Sequence, residues 1–78
     1  MIECWKFFPD TKGKVQYKIY AEDRGTINNL LRLSGVRTSA TYMDSNLRFI
    51  GMDLIIPGDR LKAVFKLTGI KKGQIKFI

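Results

Sequence analysis

The chain has no histidine and a single cysteine, and both scarcities narrow its chemistry. Without imidazole it lacks the most frequent general base and the most frequent nitrogen ligand of metal sites, so neither a metal nor a cofactor is expected. One cysteine, Cys4, closes no internal disulfide, which points to a reducing, intracellular compartment, in the cytoplasm or in an organelle such as the mitochondrion. Beside Trp5 and with no histidine to activate it, Cys4 reads as a packing thiol and not as a nucleophile. No Gly-rich loop leads into Lys-Ser or Lys-Thr, which removes nucleotide hydrolysis. No apolar run approaches about 18 residues, so no membrane partner is expected, and Met1-Ile-Glu-Cys-Trp-Lys lacks the layout of a secretory signal. Asp44, Asp53 and Asp59 are the carboxylates an acid–base pair would need, but each reads more simply as a turn residue bonding nearby backbone donors. The chain is not expected to be an enzyme.

What is present describes one small folding unit with a basic surface. The 78 residues are 45% hydrophobic and 12% aromatic, enough for a single domain over 1–78 at the size where a partner can supply missing stability. Fourteen Lys and Arg against seven Asp and Glu give a net charge of +7, spread along the chain.

The hydrophobic pattern is mainly that of strands. Ile2 to Phe8 is an aromatic strand candidate ended by Pro9, and Val15, Tyr17 and Ile19 alternate with Gln16, Lys18 and Tyr20. Thr38 to Met43 is rich in β-formers and bounded by Asp44-Ser45-Asn46. Leu47 to Ile56 is a strand interrupted at Gly51, where a bulge or barrel corner is expected. Pro57-Gly58-Asp59 then reads as a turn between extended segments. After it Leu61, Ala63, Phe65 and Leu67 alternate with Lys62, Val64, Lys66 and Thr68, and Gln74 to Ile78 reads as a short partner strand. Thr26 to Ser34 is compatible with one helix of about two and a half turns, capped by Thr26 and ended by Gly35. On these strands Arg60, Lys62 and Lys66 share a face, Lys76 extends it, and Lys71 and Lys72 stand at the connecting turn. Such a face neutralises phosphates, although lysines on strands also serve to keep sheets apart. Trp5, Phe7, Tyr20 and Tyr42 are candidates for stacking on bases, with core packing as the competing use.

The stretch from Asp53 through Pro57-Gly58-Asp59 to Leu67, with Gly73 to Ile78, resembles the third domain of elongation factor Tu and its relatives. There a strand ends in Met-Pro-Gly-Asp, an alternating strand follows, and a glycine leads into a final strand. Val15 to Arg24 with Gly25, Ser34-Gly35-Val36-Arg37, and Phe8-Pro9-Asp10-Thr11-Lys12 are similar to the family's first strand, its Gly-Tyr-Arg-Pro and its entry linker. The resemblance covers about residues 8 to 78. It implies a small antiparallel β-barrel of five or six strands, with residues 26–34 a loop instead of a short helix. It also implies RNA as partner, tRNA or rRNA, together with ribosomal or translation-factor proteins. Arg37 matches the family's arginine before its second strand, whereas Ser39 replaces a glutamine that approaches tRNA. The family's closing strand has no counterpart after Ile78, so the barrel edge is filled by residues 1–9, as an added edge strand or arm, or by a partner.

Gly25-Thr-Ile-Asn-Asn-Leu-Leu-Arg-Leu-Ser-Gly-Val36 with Asp53-Leu-Ile-Ile-Pro-Gly-Asp-Arg-Leu61 also resembles a LysM module, a βααβ unit that grips N-acetylglucosamine chains. This implies a glycan-binding protein and a second helix from Ser39 to Leu47. A ribosomal or ribosome-associated RNA-binding module is the leading expectation. A LysM-type module and a nucleic-acid-binding protein of other origin are its alternatives.

Overall fold

The computed structural model describes residues 2–77. Its elements are β1 (Ile2–Phe7), β2 (Gln16–Ala21), α1 (Arg24–Leu31), β3 (Arg37–Met43), β4 (Phe49–Pro57), α2 (Leu61–Thr68) and β5 (Ile75–Phe77), with 3-10 turns at Gly58–Arg60 and Lys72–Gln74. The strands form one sheet in the order β3-β4-β2-β1-β5. β1 and β5 are parallel and every other pair is antiparallel.

The fold is mainly β, as expected, but the sheet is open and mixed, not a closed antiparallel barrel. The reason lies in the connections. β2 and β3 both run against β4, and so run the same way; β4 and β5 likewise share a direction. Strands that share a direction need a crossover above a sheet face, and α1 and α2 supply the two crossovers. Both helices contribute to a single core, so they cover the same face and leave β3 and β5 as separate edges. From β2 onward the order is β-α-β-β-α-β, with β1 inserted between its first and last strands. The N-terminal segment, expected to be an added edge strand or arm, therefore lies inside the sheet.

The largest correction concerns residues 61–68, expected to be a strand and found as α2. Two periods fit these residues. Leu61, Val64, Phe65 and Thr68 also stand at i, i+3, i+4 and i+7, the spacing of a buried helical stripe. Val64 is completely buried and Leu67 is 41% exposed, the reverse of the alternating expectation. The Pro57-Gly58-Asp59 turn thus leads from β4 through a 3-10 turn into a helix, with Asp59 near the positive end of the helical dipole. Gly69 ends α2 in the left-handed conformation at φ 73°, its N–H bonded to the Phe65 carbonyl at 3.0 Å. Beyond it β5 begins at Ile75, while Ile78, the expected last residue of that strand, lies outside the described residues.

The ambiguous segment is helical, but it starts earlier than expected. Asp23, not Thr26, is the cap: its Oδ2 accepts the backbone N–H and the hydroxyl of Thr26, both at 2.8 Å. These bonds favour the ionised carboxyl and hold Asp23 below its ordinary pKa. The helix ends at Leu31, and Gly35, at φ 83°, lies in the turn beyond. The LysM-type second helix at 39–47 is absent, since β3 occupies 39–43 and the β3–β4 loop occupies 44–47.

Two hairpin loops share one construction. In the β1–β2 loop the Asp10 side chain accepts from the N–H groups of Lys12 and Lys14; in the β3–β4 loop Asp44 accepts from Asn46 and Arg48. Asp44 is thus the turn residue expected. At the left-handed position of the first loop stands Gly13 (φ 76°), and of the second Leu47 (φ 62°), whose side chain is 80% exposed. A leucine there is strained and receives no packing in return.

The core beneath the helices is built by Cys4, Ile19, Ala21, Leu54 and Ile56 from the sheet, and by Ile27, Leu30, Val64 and Ile70. Burial pushes the Cys4 thiol up to about 11, in keeping with the packing role expected for it.

Candidate nucleic-acid interface

Because both helices lie on one side, the opposite face of the sheet is uncovered, and strand alternation decides which residues it presents. The registers define a row across all five strands, Lys76–Trp5–Lys18–Ile55–Arg37. At about 4.8 Å between strands this row is about 19 Å long. The neighbouring row is Glu3–Tyr20–Asp53–Ala40. Two residues along the strands, about 6.6 Å, separate the rows.

Two bulges bring β3 and β4 into this arrangement. Pairing shifts at Ser39, so Arg37 and Ala40 both face outward opposite Ile55 and Asp53. It shifts again at Ile50, the neighbour of the glycine where an irregularity was expected. Phe49 then packs toward the helices beneath Arg24, whose guanidinium lies 4.7 Å from its ring centre, while Ile50 joins the open face. Gly51 has a second reason to be glycine: a Cβ there would come within 2.6 Å of Tyr20 Cζ. The Tyr20 ring rests on the bare backbone of β4.

The rings and charges of this face interlock. Lys18 Nζ lies 5.3 Å from the Trp5 ring centre and 5.7 Å from that of Phe7, and Lys76 Nζ lies 5.9 Å from Trp5. Lys76 also reaches Glu3 at 3.6 Å, a surface pair of little energetic weight. Gln16 donates to the Phe8 carbonyl at 2.7 Å and accepts from Arg37 Nη2 at 3.5 Å, tethering the arginine over the sheet. Tyr20 and Tyr42 pack with ring centres 6.0 Å apart. Tyr42 donates its hydroxyl to Asp53 Oδ2, and that bond to a carboxylate raises the Tyr42 pKa. Desolvation, followed by the Glu22 carboxylate, raises Tyr20. Glu3, Trp5, Lys18, Tyr20, Tyr42, Ile50 and Asp53 line a shallow hollow of about 490 Å³.

The basic residues singled out in the sequence do not form one surface. Lys76 and Arg37 flank the uncovered face. Lys62 and Lys66, four apart on α2, share an exposed side of the helical layer, opposite that face. Arg60 is turned to the Ser34 carbonyl, to which Nε donates at 3.2 Å. Lys71 and Lys72 are exposed at the turn before β5, where the Lys71 N–H donates to Gln74 Oε1 at 2.8 Å. The expected strand face of Arg60, Lys62, Lys66 and Lys76 is divided because α2 replaces its strand.

All four stacking candidates, Trp5, Phe7, Tyr20 and Tyr42, do gather on the uncovered face. Sequence reasoning missed Lys18 and assigned Asp53 to a turn, whereas it stands in the middle of β4. The alternation of β2 contained the signal for Lys18, since it shares its parity with Tyr20. The fold and face together define an open α+β sheet with one aromatic and basic surface. No family, curated protein or solved structure matches the chain.

Proposed function

We propose that the protein is a non-enzymatic RNA-binding module that lays single-stranded RNA across the uncovered sheet face. The observation that carries this reading is the row Lys76–Trp5–Lys18–Ile55–Arg37, in which three cations are spaced across five strands by Trp5 and by the buried Ile55. Lysine and arginine neutralise phosphates and release counterions, which gives affinity without reading sequence. The half-buried rings of Trp5, Phe7 and Tyr20 and the exposed ring of Tyr42 offer bases a stacking surface, worth about 1–3 kcal/mol per base. The core needs none of these rings, because α1 and α2 cover the other face. Single strands suit such a surface, since their bases are free to splay onto a sheet. Work within the translation apparatus, on tRNA or rRNA, is the setting we attach to this reading. Its support is the sequence of the Pro57-Gly58-Asp59 block, which is similar to the elongation-factor domain although here it leads into α2 where that domain has a strand.

Trp5 is the only tryptophan, so its fluorescence reports directly on the surface. Titration with a single-stranded oligouridylate should quench it, and Lys18→Ala should weaken binding and lower the salt slope by about 0.7. Binding that persists unchanged in both Trp5→Leu and Lys18→Ala, read from the fluorescence anisotropy of an end-labelled oligouridylate, would remove the face from the reading. The double variant Lys62→Ala/Lys66→Ala serves as the control on the opposite side.

A further inference from the structure

Asp53 is the feature that a surface made only for phosphate does not explain. It is 7% exposed, lies at the centre of the uncovered face and lines the hollow with Trp5, Tyr20 and Tyr42. A carboxylate there repels phosphate, and burying it carries a desolvation cost. Three groups nonetheless organise around it. Tyr42 bonds its Oδ2, Tyr20 stands opposite it in the β2–β4 register, and the small side chain of Ala40 stands opposite it on the β3 side. A carboxylate has about four lone-pair sites, so the Tyr42 hydroxyl leaves acceptor capacity for a ligand.

We propose that Asp53 is a base-selecting residue, which accepts N–H groups from the pairing edge of a base stacked in the hollow and prefers guanine. The inference rests on the RNA reading above and deepens it. The two rows supply the geometry. Phosphates held at Lys76, Lys18 and Arg37 leave a base free to extend about 6.6 Å toward the row of Glu3, Tyr20 and Asp53. Guanine presents two adjacent donors, N1–H and N2–H, to a carboxylate. Adenine and cytosine pair a donor with a ring acceptor, and uracil flanks its N–H with two carbonyls, which face the carboxylate unfavourably. Tyr42 acts as a positioning residue by fixing the carboxylate, and Lys18 draws the backbone to the other row.

The test uses the full chain and unstructured uridine heptamers with one central guanine, inosine, adenine, cytosine or uracil. Guanine should bind about tenfold more tightly than uracil. Inosine, which keeps N1–H and lacks the amino group, should fall between them. Asp53→Asn should abolish the guanine preference, bringing the guanine and uracil heptamers to one affinity. Tyr42→Phe should narrow the ratio of guanine to uracil affinity, and it preserves the test if Asp53→Asn does not fold. Equal affinity for all five heptamers, with Trp5→Leu still weakening binding of the end-labelled RNA, would overturn base selection and leave the stacking surface standing. Absence of binding to every heptamer would overturn both.

Discussion

The two faces of the sheet are made by the same alternation along the same strands, yet they carry different chemistry. Under the helices the strands present Cys4, Ile19, Ala21, Leu54 and Ile56, aliphatic or small groups that interdigitate with Ile27, Leu30 and Val64. On the other side they present Trp5, Lys18, Tyr20, Arg37, Tyr42 and Asp53. The first set gains from exclusion of water and has nothing to offer a ligand. The second set combines an apolar body with a polar tip in almost every member, the composition of a surface that is wet when free and dry when occupied. Stability and recognition are thereby assigned to opposite sides of one layer, and substitutions on each side should separate them.

Leu54→Ala is expected to have the largest effect on folding, about 2–5 kcal/mol, because it empties a fully buried site on the covered face. That is a large share of the stability of a small domain, and a chemical denaturation midpoint measures it. Trp5→Leu, on the other face, should cost far less stability and most of the RNA affinity; a variant that lost both equally would erase the distinction.

Within the covered layer, Gly69→Ala should destabilise by about 1 kcal/mol, since the helix α2 ends there at positive φ in open space. An unchanged melting temperature would contradict the helix assigned to 61–68. Leu47→Gly should act in the opposite direction by less than about 1 kcal/mol, relief of strain being partly offset by glycine's unfolded-state entropy. A drop in stability would mean that this loop differs from its Gly13 counterpart.

Two titrations sharpen the comparison further. Burial of the Cys4 thiol raises its pKa from 9.0 to about 11. Its contribution is therefore whole below about pH 9 and is lost as pH climbs through the folded value. Alkylation of the native protein at pH 8 should be negligible, and rapid labelling would show that β1 does not lie beneath the helical layer. The Asp23 carboxyl is lowered instead, so its contribution is present above the ordinary carboxylate range and is lost as pH falls through the depressed value. Asp23→Ala should remove that acid-sensitive component, as seen by helical circular dichroism while the pH is lowered through and below the ordinary carboxylate range. Smallest of all, Lys62→Ala/Lys66→Ala should alter neither stability nor RNA binding.

The strands around the core were legible because period two is clear in β2, because Pro9 and Pro57-Gly58 bound the apolar segments of β1 and β4, and because Asp44-Ser45-Asn46 closes a recognisable hairpin. Residues 61–68 were misread because lysines at 62 and 66 satisfy both a strand of period two and a helix of spacing four. The discriminating cues were local, Asp59 at the entrance and Gly69 at the exit. Closure was misjudged as a consequence, since a helix in that position makes a crossover where a strand would have extended a barrel. The aromatic candidates could be named but not assembled, because parity places a residue on a face only when the register and bulges are known. Ser39 and Ile50, the bulged positions, carry no distinctive chemistry of their own, yet they decide where Arg37, Phe49 and Ile50 point. Asp53 looked like a turn residue beside Pro57-Gly58, and only the registry of β4 against β2 and β3 puts it amid tyrosines.

The most direct test of the account is amide and indole chemical-shift mapping during titration with a guanine-containing single-stranded RNA. The shifts should concentrate on Trp5, Lys18, Tyr20, Arg37, Tyr42, Asp53 and Lys76, with Lys62, Lys66 and the rest of α2 unmoved. Shifts confined to α1 and α2, or none on the uncovered face at concentrations where RNA is bound, would contradict it.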